Sequence, residues 1–318
     1  MSHVIISSCT NRKSMTSKPW HFDMPIGEHS LLKCAYSWAT HVKTSRLDDR
    51  QRIKVLDLYQ GRTFTDAIRV SSSIDGELFV VSAGLGLVSA EDHVIPYDLT
   101  LVDRQNALGK MLAESGATSS QWWKALNETG LGFGALSKLV RCKSSAIIML
   151  ALPSTYLSMV HEDLMSLSDS ELQRIRLLTH PSSRSILPQR LKSLVLPYDE
   201  RIQSEQGFAG TRSDFAQRAL SHFVLKLKAE SLPLEDAVGV VSEAMGKLNL
   251  VTLPNRKRAT DEEILAHLAN HWDRTNGHGS LLLRVLRDEL LISCEQGRFQ
   301  GLWHQFKRSL ERAGEVIA

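Results

Sequence analysis

Short runs of β-branched and other apolar residues alternate with helical patterns through the first two thirds of the chain. The runs predict buried strands at Val4–Ser8, Leu78–Ser82, Ala146–Leu152 and Arg174–Thr179. Apolar spacing typical of helices occupies residues 30–50, 62–73, 101–115, 120–127 and 154–166. Strands that alternate with helices predict an α/β domain with a largely parallel sheet, in which sites gather beyond the carboxyl ends of the strands.

The pattern changes near residue 207, after which every predicted element is a helix. The predicted helices cover residues 213–228, 234–248, 260–272, 280–294 and 298–313. Thr260-Asp-Glu-Glu263 has the sequence of a capping box, which marks the start of one of them. The sequence therefore predicts an α/β domain over residues 1–206 and a helical domain over residues 207–318.

Composition agrees with a globular chain. Of its 318 residues, 42% are hydrophobic and 23% charged, enough for about two domains of ~150 residues each. No apolar run reaches the ~18 residues of a membrane span and no signal peptide is visible, so a cytoplasmic protein is expected. The four cysteines are far apart, which favours buried thiols over a zinc or disulfide framework. A net charge of +3 permits nucleic-acid binding without requiring it.

Two polar loops follow predicted strands, at Cys9–Lys13 and over residues 84–98. Gly84-Leu-Gly86 lacks the third glycine and the G-K-[ST] of phosphate-binding loops, and acidic residues follow it. We expect its glycines to let the loop carry acidic side chains back over the strand ends, with Tyr97 and the preceding proline stiffening Asp98. A lone aspartate in a turn is more often a cap, and that alternative remains open.

A second Pro-Tyr-Asp occurs at Pro197-Tyr-Asp199. The residues after it include Arg212, then Ser213 as a candidate helix cap, and Arg218. Arginines near a helix N-terminus suit phosphate binding, while the alternative is a solvated, well-capped helix. Asp199 is therefore a second candidate carboxylate.

Four motifs occur in order within the first hundred residues: Ser8-Cys-Thr-Asn-Arg-Lys13, Leu58-Tyr-Gln-Gly-Arg-Thr-Phe64, Val81-Ser-Ala-Gly-Leu-Gly-Leu87 and Ile95-Pro-Tyr-Asp98. This set resembles a family of bacterial and phage-associated domains with an S-C-x-x-x-K, Y-x-G-x-x-F, S-A-x-x-G-L, P-Y-D signature. That family is itself distantly similar to the YaaA peroxide-stress proteins and to domains found near transglycosylase-type base-processing enzymes. The resemblance covers residues 1–105 and departs at Gly84-Leu-Gly86, where a bulkier residue is expected.

The resemblance implies work on nucleobases, and members of this kind look like anti-phage DNA glycosylases. On that reading Asp98 or Asp199 acts on the sugar or on water while a flipped base is released from double-stranded, base-modified DNA. The residues placed around the base are Cys9, Asn11, Tyr59, Phe64, Ser82, Gly84 and Tyr97. The residues expected to hold DNA phosphates are Lys13, Arg62, Arg212, Arg218, Arg256, Lys257 and Arg258. Neither a metal nor a cofactor is required, and a monomer is expected.

The helical half leaves its role open. Asn255-Arg-Lys-Arg258 is a compact basic cluster, and residues 300–308 place aromatic side chains among basic ones. Small helical bundles without DNA are equally common, and a pair such as Trp303 and Phe306 is more often core than a DNA wedge. Two rival functions therefore remain: a non-catalytic, YaaA-like DNA-binding stress protein, and a nucleobase transferase that acts on RNA.

Overall fold

A computed structural model describes most of the chain. The described residues are 2–10, 12–14, 31–44, 52–99, 101, 107–251 and 255–317. They form two compact units, Met1–Val251 and Thr252–Ala318.

The first unit contains both strands and helices. Its strands are β1 His3–Ser8, β2 Ile53–Lys54, β3 Glu77–Ser82, β4 Gly86–Ser89, β5 His93–Val94, β6 Ile147–Ala151 and β7 Ile175–Leu178. Its helices are α1 Leu31–Thr44, α2 Val55–Leu58, α3 Arg62–Ser73, α4 Ala107–Ser115, α5 Ser119–Glu128, α6 Leu136–Cys142, α7 Ser154–Met165, α8 Asp169–Leu172, α9 Gln189–Lys192, α10 Phe215–Ser221 and α11 Leu234–Gly246. The four predicted strands are present as β1, β3, β6 and β7.

Five strands of the described chain form one sheet in the order β4-β3-β1-β6-β7. β1 runs parallel to both β3 and β6, β6 runs parallel to β7, and β4 pairs antiparallel with β3. The predicted α/β fold with a largely parallel sheet is confirmed. Because β3 joins one side of β1 and β6 joins the other, the strand order reverses at β1, and ligands of open α/β sheets bind beyond the carboxyl ends at such a point.

Helices cover the sheet because its central strands are buried. Every residue of β1 is buried, which requires cover on both faces. α3 and α10 pack on each other and against the sheet, while α1, α5 and α7 form a second packed group. Trp38 of α1 and Trp122 of α5 are fully buried in this core.

The sequence predicted one loop over residues 84–98, but the structure has a further strand in this stretch. A turn at residues 83–85 leads into β4, which runs back toward the amino end of β3. There Glu91 pairs with Lys54 at 2.7 Å, and Asp92 accepts a hydrogen bond from Ser89 N at 2.8 Å. The prediction that these two carboxylates overlie the carboxyl ends is therefore wrong, and Asp98 is the acidic residue of this stretch that lies near them.

The second unit is mainly helical, as the fold prediction required. Its elements are β8 Lys257–Arg258, α12 Asp261–His271, α13 Gly279–Arg284, β9 Ile292–Ser293 and α14 Gln296–Ile317. The predicted capping box at Thr260 is present, with hydrogen bonds in both directions. Among the described residues, no helix is long and apolar enough to cross a membrane.

The predicted domain boundary at residue 207 lies inside the first unit. All seven residues of α10 are buried, and α10 contacts β6, β7 and α3. α11 also packs against the first hydrophobic core. The change from mixed to helical pattern therefore marks a change of element type within one unit, while the break between units follows Val251.

Candidate functional site

The loop after β1 lies against the segment before α3. Cys9 N donates to Val81 O at 3.0 Å, which continues the parallel ladder beyond β1. Lys13 and Tyr59 then form an isolated antiparallel bridge. These contacts bring the first two sequence motifs together at the carboxyl ends of β1 and β3.

A chain of buried hydroxyl groups joins the other two motifs. Ser82 Oγ accepts hydrogen bonds from Gly84 N at 3.2 Å and Leu85 N at 3.0 Å, so its own proton is directed to Tyr97 Oη at 2.5 Å. Tyr97 Oη lies 2.7 Å from Tyr59 Oη. Burial raises the pKa of both phenols, so both stay protonated and act as neutral hydrogen-bonding groups.

Gly84 permits a close approach rather than ligand contact. A Cβ at this position would lie 2.5 Å from Tyr97 Cε2 and 3.1 Å from Trp38 Cζ2. The Gly84 carbonyl oxygen accepts a hydrogen bond from Trp38 Nε1 at 2.5 Å. Gly84 was predicted to contact the flipped base. In the structure it instead packs against the Tyr97 ring and sets the position of that ring.

Lys13 holds a buried ammonium group at the centre of this cluster. Its side chain is 8% exposed, and its Nζ lies 4.8 Å from the centroid of the Tyr97 ring. Nζ has no hydrogen-bond partner among the described residues. Burial lowers the pKa of Lys13, while the nearby Cys9 and Asp98 side chains oppose that shift.

This burial changes the role of Lys13. A phosphate-binding lysine on a DNA-facing surface keeps its ammonium accessible, and this one does not. The predicted contact with the DNA backbone would therefore require the side chain to leave this buried position. An uncompensated buried cation instead marks a position where an acceptor, a negative charge or loss of the proton lowers the free energy.

Asp98 is the carboxylate from the motifs that acts on this ammonium. Its side chain is half-buried, and its charge acts on Lys13. Arg12 and Gln60, which are exposed, lie on the solvent side of the same loop and are joined by a backbone hydrogen bond of 2.9 Å. The cluster thus combines a solvent-accessible carboxylate with a buried cation.

Two contacts at the centre of the sheet were not predicted. Cys9 Sγ lies 2.9 Å from Tyr156 Oη on α7, which fits the buried-thiol alternative. Gln217 Nε2 donates to Ser7 Oγ at 2.8 Å and to Ala151 O at 2.9 Å, and so joins the ends of β1 and β6. Neither Tyr156 nor Gln217 stands in a recognisable motif, because their partners are distant in sequence.

The predicted base-stacking rings do not present a face to solvent. Tyr59, Phe64 and Tyr97 are 3%, 1% and 2% exposed, respectively. Tyr59 and Phe64 pack edge to face with ring centroids 5.4 Å apart. Phe64 is therefore a core residue, and the two tyrosines contribute hydroxyl groups instead of stacking surfaces.

Asp199 caps a 3-10 turn over Glu200–Ser204. Its Oδ1 accepts from Arg201 N at 3.0 Å, and its two oxygens form an ion pair with the Arg201 guanidinium. These bonds lower the pKa of Asp199. Asp199 follows Val195, which bridges Leu177 of β7 at the far side of the sheet from β3.

The two candidate aspartates follow different parts of the sheet. Asp98 lies near the ends of β1 and β3, whereas Asp199 follows the Val195 segment beside β7. The alternative of a capping role holds for Asp199, and Asp98 remains the candidate in the cluster.

The arginines predicted to hold phosphates differ in exposure. Arg218 is 1% exposed and bonds to Asp214 Oδ1 at 2.8 Å and to two backbone carbonyls, so it is structural and the phosphate role is wrong. Arg62 is exposed, and its Nε lies 3.7 Å from Asp66 Oδ2. Arg212 is also exposed, lines a cavity of about 320 Å³, and donates to Ser182 Oγ at 2.6 Å.

In the second unit the basic cluster lies on β8 and just before it. Lys257 and Arg258 are exposed, whereas Arg256 is half-buried and pairs with Asp288 at 2.9 Å. Trp303 and Phe306 pack against the hydrophobic core of this unit, as the core interpretation predicted.

Asn11 lies outside the described residues. Among the residues that are described, no three histidine, cysteine or acidic side chains are grouped to hold a metal ion. A cavity of about 720 Å³ beside β4 contains none of the predicted site residues. No protein-family model matches the chain, and no curated protein matches it.

Proposed function

We propose that the chain is a DNA N-glycosylase that releases a modified base through chemistry at Asp98. The observation that carries the proposal is a half-buried carboxylate, Asp98, near the buried ammonium of Lys13, which has no hydrogen-bond partner among the described residues, at the carboxyl ends of β1 and β3. A buried charged group at this edge of an α/β sheet is typical of active sites.

The chemistry suits cleavage of an N-glycosidic bond. A carboxylate can stabilise the positive charge that develops on the sugar as the bond breaks, or orient the attacking water. The neutral phenols of Tyr59 and Tyr97 can stabilise the chain of hydrogen bonds that joins Tyr59, Tyr97 and Ser82 at this edge of the site. Asp98 is accordingly assigned the catalytic role, and Asp199 is assigned the cap.

The proposal places DNA against exposed cations of each unit taken separately. Arg62 and Arg212 are the exposed members of the predicted phosphate set in the first unit, and Lys257 and Arg258 are those of the second. The target base has to leave the duplex stack to reach a side chain at a strand end. The ordered motifs and their resemblance to anti-phage glycosylases support a modified base as the target.

One observation favours a second candidate, a DNA-binding protein without base excision. The rings of Tyr59, Phe64 and Tyr97 are buried, so the predicted stacking platform is missing. On this alternative the cluster holds the loop after β1 in place and performs no reaction.

Base release separates the two candidates. The purified chain is incubated with DNA that carries natural or phage-type modified bases, and free base is measured by mass spectrometry together with alkali-labile abasic sites. We expect Asp98→Asn to lower the rate of base release by about 10²- to 10⁴-fold, the usual contribution of a positioned acid or base.

Two variants serve as controls. Asp199→Asn tests the second aspartate, and Glu91→Gln removes a carboxylate that is 67% exposed and pairs only at the surface with Lys54. Both should keep the wild-type rate. Duplex binding without base release from any substrate would favour the binding protein, and loss of activity in Asp199→Asn alone would move the chemistry to that residue.

A further inference from the structure

The Lys13 side chain has a feature that neither a structural nor a phosphate-binding lysine needs. Its Nζ is buried against the Tyr97 ring, with Asp98 as a nearby carboxylate that acts on its charge, yet it has no hydrogen-bond partner among the described residues. A structural lysine usually donates to carbonyl or carboxylate oxygens when it is buried. This amine is desolvated and is not held in place by any such bond.

Desolvation is the usual way in which proteins obtain a nucleophilic lysine. Burial disfavours the ammonium form, so a larger fraction of the side chain carries a free electron pair on Nζ. To reach a substrate, the four-carbon stem has to turn out of this buried position and give up the ring contact with Tyr97. The Asp98 carboxylate lies close enough to act on the charge of Lys13, and in the proposed reaction it takes the proton that Nζ loses.

We propose that Lys13 is the nucleophile of the reaction and forms an imine with the deoxyribose after the base leaves. This inference rests on the proposed glycosylase function and deepens it, since it assigns a covalent route instead of attack by water alone.

The steps balance without any oxidant or reductant. Nζ attacks C1′, the C1′–N bond to the base breaks, the base leaves with that electron pair and takes up a proton, and Asp98 accepts the proton lost by Nζ. The protonated Asp98 then returns this proton to O4′ as the C1′–O4′ bond breaks, which opens the sugar and leaves a protonated imine between Nζ and C1′. Hydrolysis of the imine releases the lysine and an abasic site.

Borohydride reduction tests the imine directly, because it converts the imine to a stable secondary amine. The full-length chain is mixed with a duplex that contains one abasic site, a probe that does not require the natural base to be known, and sodium borohydride is added. We expect a covalent protein–DNA complex on a denaturing gel, and peptide mass spectrometry should place the adduct on Lys13.

Substitutions then assign the amine. Lys13→Met and Lys13→Arg should lose the complex, whereas Lys54→Met should keep it, since Lys54 is an exposed lysine that pairs with Glu91. Lys13→Met should melt no lower than the wild-type chain, because it removes a buried charge without an acceptor. An adduct on another residue, or an undiminished complex in Lys13→Met, would overturn the inference.

The outcomes also separate this inference from the function on which it rests. Base release from modified DNA without a trapped complex would retain the glycosylase and show that water is the nucleophile. A complex at Lys13 without base release from any modified DNA would retain the reactive amine and overturn base excision. Failure of both readouts would overturn both proposals.

Discussion

At the scale of single residues, the site depends on how closely side chains approach one another. Ser82, Tyr97 and Tyr59 are fixed by hydrogen bonds of 2.5 and 2.7 Å between their hydroxyl groups. The Tyr97 ring also carries the Lys13 ammonium against its face. A shift of this one ring would therefore disturb the hydroxyl chain and the lysine together.

Gly84→Ala tests that dependence. The new Cβ would lie within 2.8 Å of two atoms of the buried Tyr97 ring, so the ring has to move. Overpacking of this kind costs about 1–3 kcal/mol, and we expect chemical denaturation to show a loss of stability in that range. Gly239→Ala, at an open position inside α11, should instead raise stability by about 0.5–1 kcal/mol. Equal stability of wild type and Gly84→Ala would contradict the packing role.

At the scale of elements, α10 links the sheet to its surroundings. It carries Gln217 to the ends of β1 and β6 and continues as a π-helical turn over His222–Lys226. His222 is buried in this turn, with its Nδ1 3.0 Å from Tyr198 Oη. Burial raises the pKa of Tyr198, so its hydroxyl stays protonated beside the imidazole.

This imidazole should make stability depend on pH. Burial lowers the pKa of His222 below its ordinary value of 6.5, so below that pH the unfolded chain binds the proton more readily than the folded chain. The free energy of unfolding should therefore fall between about pH 7 and about pH 5, as the imidazole of the unfolded chain becomes protonated.

The His222→Gln variant isolates this contribution. Glutamine keeps a polar partner for Tyr198 but does not titrate, so the fall in stability should be smaller than in the wild-type chain. Buried His3 and partly buried His180, whose pKa values are also lowered by burial, account for a remaining slope. An unchanged slope in His222→Gln would refute the assignment.

At the scale of the whole molecule, charge is distributed over both units rather than concentrated in one. The net charge of +3 is modest, so any DNA contact has to come from local groups of exposed cations. Lys257 and Arg258 on β8 form one such group in the second unit.

The salt dependence of DNA affinity tests this group. Each lost phosphate contact should reduce the slope of log K against log salt concentration by about 0.9 for duplex DNA. We expect that change for Lys257→Ala and for Arg258→Ala in titrations with a fluorescent duplex. Arg274→Ala, whose guanidinium pairs with Glu289 at 2.8 Å, should leave the slope unchanged. Identical slopes in all three variants would place the DNA contact elsewhere.

Helices and strands could be predicted where the pattern of hydrophobic residues is local and extends over enough residues. α3 has the predicted bounds, and the four predicted strands are the parallel strands of the sheet. β4 was missed because it is four residues long and exists through its pairing with β3. The break after Val251 was not predicted, because the sequence of α10 shows that the helix is buried but does not show which core it packs against.

The sequence by itself determined the α/β class, the places of the main strands and the order of the four motifs, because hydrophobic periodicity and turn chemistry act between neighbouring residues. Only the tertiary structure decided which motif residues share a site and in what state. It buried Arg218 and Phe64, made Asp199 a cap, and placed the Lys13 ammonium near Asp98 with no hydrogen-bond acceptor in the part of the chain that the structure describes. Burial and long-range contacts set the charge and reach of a side chain, and neither can be read from its neighbours along the chain.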